Sequence, residues 1–127
     1  MNNNLLSAFL CSRAVFEPMK TGGERIINFA RAGDPQAKMV AYNCAKAGVA
    51  ALTRTLALEG RKHNIGVNAV APGLVDTKSN TKAMQRKPED QARWPKREEI
   101  AAMVVFLVSD EASGITGQVV KVPGRML

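Results

Sequence analysis

The sequence predicts an α/β protein built on a parallel sheet. Apolar residues switch between helical spacing and short continuous runs in the order helix, strand, helix, strand, helix, strand. The connections between those runs are long enough for crossovers, which join parallel strands. The strand centres are apolar at consecutive positions, as in a sheet covered on both faces. With 127 residues, 46% of them hydrophobic and 23% charged, the chain suits one modest domain rather than two.

The elements follow in order. Leu5, Leu6, Phe9, Leu10, Phe16 and Met19 recur at helical spacing, and Thr21-Gly22-Gly23 closes that helix with residues suited to a C-terminal cap. Arg25 to Ala30 reads as a short strand, and Gly33-Asp34-Pro35 marks a loop over residues 31–39. Val40 to Arg61 is the strongest helix, rich in Ala and Leu. Its small Ala45, Ala47, Gly48 and Ala50 allow another element to approach closely. Ile65 to Ala71 is a second strand, stopped by Pro72-Gly73. Pro95 precedes a helix from Glu98 to Val108, and Glu98 and Glu99 suit the positive end of its dipole. Ser113 to Gly117 is a turn and Gln118 to Val122 a third strand. Three strands make a thin sheet, and the first is expected to have a further neighbour.

Several function classes fall away. The longest strongly apolar stretch, Ile100 to Val108, is about half of a membrane span, so no membrane partner is expected. No Lys or Arg precedes the apolar residues near Met1, and Arg13 and Glu17 follow them closely, which argues against a signal peptide. The expected location is the cytoplasm. Cys11 and Cys44 stand alone and His63 is the only histidine, so neither a metal site nor a disulfide framework is expected. The net charge of +7 raises nucleic acid as a partner. However, a net five of those charges lie in residues 78–97, with Trp94 but no aromatics interleaved for base stacking. A solvated, mobile segment is expected there, and no nucleic-acid partner. An anionic cofactor or substrate is another use for the same charge.

Tyr42 and Lys46 carry the chemistry. They sit four residues apart at the start of the long helix, so both project from one face. A free phenol has a pKa of about 10 and is a poor proton donor or acceptor at neutral pH. An ammonium held nearby stabilises the phenolate and brings such a group toward the range where general acid–base catalysis is efficient.

A longer pattern surrounds the pair. Ala41-Tyr-Asn-Cys-Ala-Lys-Ala-Gly48, Leu52 to Glu59, Ile65 to Thr77 with its central Asn-Ala-Val-Ala-Pro-Gly, Glu98 to Ala102, Phe106 to Ser113 and Ile115-Thr-Gly-Gln118 together resemble the short-chain dehydrogenase/reductase family. Asn4 to Phe9 and Arg25 to Asn28 extend the resemblance, in the family's order, over most of the chain outside the basic stretch. The similar branch is that of bacterial 3-oxoacyl-carrier-protein reductases and sugar-alcohol dehydrogenases. The resemblance implies the C-terminal part of a Rossmann-type, doubly wound parallel sheet, with residues 1–127 forming one partial domain and the 78–97 segment inside it. It implies an NAD- or NADP-dependent oxidoreductase acting on a small carbonyl or alcohol substrate. Tyr42 would exchange a proton with the substrate oxygen. Lys46 would assist Tyr42 and bind the nicotinamide ribose, and Asn4 would hold a water in the proton relay. Pro72, Gly73, Val75 and Thr77 would contact the nicotinamide carboxamide and the pyrophosphate. A homo-oligomer through the 40–61 helix is also implied.

The sequence departs from the family's pattern at three places. No TGxxxGxG turn and no NNAG segment occur in the 127 residues, so the first four strands of the family's sheet are expected to be missing from this chain. The family's catalytic serine aligns with Arg31, which removes the usual group that orients the carbonyl. The usual V-D-G-G near the end is Val122-Pro123-Gly124-Arg125. A non-catalytic relative acting through oligomerisation is the alternative these departures leave open.

Overall fold

The computed structural model describes residues 2–75 and 87–125. A π-helical turn at Asn2–Leu6 leads into α1 (Ser7–Met19), followed by β1 (Arg25–Phe29), α2 (Val40–Gly60), β2 (Gly66–Pro72), a short α3 (Pro88–Gln91), α4 (Arg97–Val108) and β3 (Val119–Val122). The three strands pair in chain order and all run parallel. Ile27 lies opposite Asn68, and Ala69 opposite Val119.

Alternation along the strands sends side chains to two separate cores. On one face, Ile26 and Val67 meet Ala57 of α2, with Phe16 and Met19 of α1 packed against them. Nearer the strand ends, Ala69 and Ala71 meet Val49 of α2 and Leu5. On the other face, Val70 meets Ile100 and Leu107 of α4, with Ile27, Val120 and Val122 alongside. The expected two-sided sheet is therefore present. Each fully buried Val or Leu contributes about 1.5–3 kcal/mol of transfer free energy, so β2, fully enclosed from Val67 to Ala71, is the centre of both cores. Gly48 is where α1's lead-in packs against α2: a Cβ there would fall 2.7 Å from Leu5 Cδ2. The small residues expected to permit close packing do so at that point.

Two buried asparagines stitch the layers together. Asn68 on β2 donates to the Ile115 carbonyl (2.9 Å) and accepts from the Gln118 amide (3.1 Å), which fixes the turn leading into β3. Asn28 on β1 donates to Thr53 Oγ1 of α2 at 3.1 Å. Buried polar groups need such partners, because an unpaired one costs about 1–3 kcal/mol.

In the basic stretch 78–97, expected to be solvated, most of residues 87–97 are exposed, with Trp94 and Pro95 as the buried exceptions. Residues 78–86 lie outside the described residues. From Lys87 onward the chain forms α3 and then buries Trp94 and Pro95. The lid over them is the turn at Gly124, which adopts a φ of +70° and lies so close that a Cβ would come within 2.6 Å of the Arg93 carbonyl. The Arg125 amide donates to that carbonyl at 2.7 Å. A bulky apolar side chain and a nearby turn outweigh the local positive charge.

Candidate active site

The site gathers where two parallel strands end. β1 runs out at Phe29 and β2 at Pro72, and the loops leaving them open a cleft of about 650 Å³. That is the end of an α/β sheet where ligands bind, and the volume suits a small-molecule site. Tyr42 and Lys46 of α2 reach this cleft together with Pro72 and Gly73. Their one-turn spacing on the helix brings both to the same wall, as expected.

Lys46 is anchored. Its Nζ donates to the Phe29 carbonyl at 3.0 Å. In β1 the alternate residues Asn28 and Ala30 direct their backbone groups to β2, since the Ala30 amide donates to Val70. The Phe29 carbonyl therefore faces the open side of the strand, and Lys46 satisfies it. Partial burial holds the Lys46 ammonium below its ordinary pKa. An ammonium has three donors, so this anchor leaves others for a ligand.

Arg31, on the loop after β1, is the second cation in the cleft. Its guanidinium carbon lies 5.8 Å from the centre of the Tyr42 ring, and it donates to Asn43 Oδ1 at 3.3 Å. Asn43 in turn donates to the Gln36 carbonyl at 2.8 Å, tying the loop to the start of α2. Trp94, Met39 and Pro123 supply apolar walls. The family resemblance implies only that a serine is replaced there. That the arginine stacks on the tyrosine emerges from the closure of the 31–39 loop. Trp94 was obscured by the charge around it; its standing as the only Trp, next to Pro95, was the available signal.

The other expected residues are placed differently. Asn4 sits in the π-helical turn and lines a neighbouring groove between α1 and β1, of about 360 Å³, which it shares with Lys46. Val75 packs with the cluster of Val70, Ile100 and Leu107 on the other face, while Leu74 lines the cleft. Thr77 lies outside the described residues. No group of His, Cys, Asp and Glu able to hold a metal occurs among the described residues, and no described helix is long and apolar enough to cross a membrane.

The family described as enoyl-(acyl carrier protein) reductase matches residues 1–124. The chain belongs to the short-chain dehydrogenase/reductase family. A short chain dehydrogenase/reductase of Aspergillus oryzae is 40% identical over 94% of this chain and 51% of its own length. An NAD-dependent glycerol dehydrogenase of Listeria innocua is 38% identical over 93% of this chain and 50% of its own. The crystal structure of an acetoin dehydrogenase from Enterobacter cloacae superposes with a TM-score of 0.81 at 36% identity, covering 94% of this chain and 50% of that one. The Rossmann-type α/β fold expected for this family is thus present, and the chain spans about half the length of the relatives it matches.

The donors that line this cleft would suit the nicotinamide ribose of a dinucleotide. Lys46 has donors free for ribose hydroxyls, and the Pro72-Gly73 backbone borders the same space. The pyrophosphate end has no Gly-rich turn in this sequence to receive it.

Proposed function

We propose that this chain carries the proton-transfer half of an NAD- or NADP-dependent oxidoreductase that interconverts a ketone and a secondary alcohol. The observation that supports it best is the convergence of Tyr42 and Lys46 on one cleft at the ends of β1 and β2, beside Pro72-Gly73. The dinucleotide would supply or accept the hydride at the carbonyl carbon. In reduction, Tyr42 gives its phenolic proton to the carbonyl oxygen, and in oxidation it takes that proton back. Lys46, fixed by the Phe29 carbonyl, holds the ribose and lines the same cleft as Tyr42. Asn4, on the Lys46 side of the adjoining groove, carries the water that returns the proton to solvent. Trp94 and Met39 keep bulk water from the reacting carbonyl.

A thermal melt with and without NADH or NADPH tests the cofactor half of this reading. Saturation at a hundred times the dissociation constant adds about 2.7 kcal/mol, a rise of several degrees for a domain of this size. Ketone-dependent oxidation of the cofactor that Tyr42→Phe lowers by about 10²–10⁴-fold is the expected second result. A melt indifferent to both cofactors would overturn the reading for the chain acting alone.

A second reading, a non-catalytic homo-oligomer through the 40–61 helix, draws on exposed apolar surface. Phe9 and Leu10 of α1 and Leu58 of α2 are exposed, and a groove between the two helices is lined by Phe9, Phe16, Leu52 and Leu56. Light scattering of a purified sample that gives only the monomer mass would remove it. Cys11 and Cys44 are both exposed, and a cytoplasmic location is proposed from the sequence alone.

A further inference from the structure

The cleft has a charge character that the general reaction does not require. Arg31 and Lys46 both line it, and among the described residues no Asp or Glu does. The ion pairs among the described residues, Lys20 with Glu17 and Arg125 with Glu99, lie elsewhere. Arg31 spends one donor on Asn43 Oδ1, at the long distance of 3.3 Å. A guanidinium presents five donors in a fork that matches a carboxylate, so among the described residues most of the fork is left for a ligand. The same guanidinium lies 5.8 Å from the Tyr42 ring centre, so whatever it holds is placed beside the tyrosine. Both cations are half-buried, so they act in a medium less screening than bulk water.

We propose that this cleft selects an oxo acid: the substrate's carboxylate rests on the Arg31 fork, and its carbonyl, a bond or two away, turns to Tyr42. The proposal rests on the ketone–alcohol reading above for what happens at the carbonyl, but the recognition of the anion stands on Arg31 alone. Lys46, held to Phe29, adds to the positive field without needing to leave its anchor.

The test compares acetoacetate with methyl acetoacetate, which presents the same carbonyl without the charge. Each is titrated into the 127-residue chain without cofactor and followed by calorimetry or NMR shifts, for the unaltered chain, Arg31→Gln and Arg31→Lys. Acetoacetate should bind the unaltered chain at least about 10-fold tighter than its ester. Arg31→Gln should remove that preference, a loss of about 10- to 100-fold for the acid, and leave the ester unchanged. Arg31→Lys should restore part of it, since a lysine keeps the charge and loses the fork. Equal affinity for acid and ester overturns the proposal, as does an Arg31→Gln loss that is equal for both, which would report a change in cleft shape. Displacement of acetoacetate by inorganic phosphate at an equal or lower concentration also overturns it, by assigning the seat to a phosphate. An Arg31-dependent acid preference in a chain that reduces no ketone leaves the proposal standing and removes the oxidoreductase reading. Ketone reduction with no acid preference does the reverse.

Discussion

β1 and β2 are neighbouring parallel strands that each carry one buried asparagine, yet they live in different surroundings. β2 is paired on both edges and is buried along nearly all its length. β1 has one partner among the described residues, and its last residue, Phe29, is 47% exposed. The apparatus around Tyr42 leans on the weaker strand: Lys46 is tied to Phe29, and Arg31 follows two residues later. Stability and chemistry are thus divided between the two strands, with β2 holding the layers together and β1 presenting the charged groups.

The pair of buried asparagines is the sharpest way to break that comparison. Asn68→Ala removes two part-buried hydrogen bonds, to the Ile115 carbonyl and from the Gln118 amide, a loss of about 2 kcal/mol. Asn28→Ala removes one, to Thr53 Oγ1, which keeps its own bond to the Val49 carbonyl (2.8 Å), so about 1 kcal/mol is expected. Urea denaturation of both variants checks the ratio. Equal losses would mean that β1 is as strongly held as β2. Phe29→Ala extends the series downward. A side chain already half in water leaves only part of its burial to lose, and the expected cost is below about 1.5 kcal/mol, against about 3–5 for a buried Phe.

How much of this was legible in the sequence differs by region for the same reason. β1, β2 and β3 each fall within a residue or so of the apolar runs, and α2 ends one residue earlier than read, because local pattern and tertiary burial agree there. Tyr42 and Lys46 sit on one helix, so their spacing fixes their proximity. Trp94 and Arg31 depend on contacts far along the chain. Trp94 is covered by a turn some thirty residues away, and Arg31 reaches Tyr42 only after a loop closes. No local period encodes either. The surrounding charge masked the burial of Trp94 and Pro95; the position of Asn4 beside, and not within, the main cleft was equally beyond a one-dimensional reading.

Lys46 offers a pH handle on β1 alone. Burial disfavours its ammonium, so its folded pKa lies below the ordinary 10.5. Between those two values the unfolded chain binds more protons than the folded one, and stability rises with pH across that window. Lys46→Met lacks this group. The stability of the unaltered chain relative to the variant should therefore increase as pH climbs toward 10.5 and level off beyond it. Denaturation midpoints measured through that window check the sign, and a constant gap would mean that Lys46 is as solvated in the folded chain as in the unfolded one.

The smallest effect is expected on the other side of β2, where Glu99 accepts from Arg125 at 2.6 Å and from the Lys96 amide at 3.1 Å. The hydrogen bond from Arg125, with the Lys96 amide adding to it, holds the Glu99 carboxyl below its ordinary pKa of 4.5. A depressed acid contributes stability above its unfolded value and loses it as pH falls through the folded one. Arg125 is exposed, however, so water and salt screen the pair and side-chain ordering offsets it. Arg125→Ala should leave the urea midpoint at neutral pH nearly where it was, with less effect than Phe29→Ala, and should flatten only the acid limb below 4.5. A larger loss at neutral pH would show that the Gly124 turn over Trp94 is pinned by charge. If that turn instead holds by its backbone bond to Arg93 and the bulk of Trp94, the security of β2 comes from packing, which is what distinguishes it from β1.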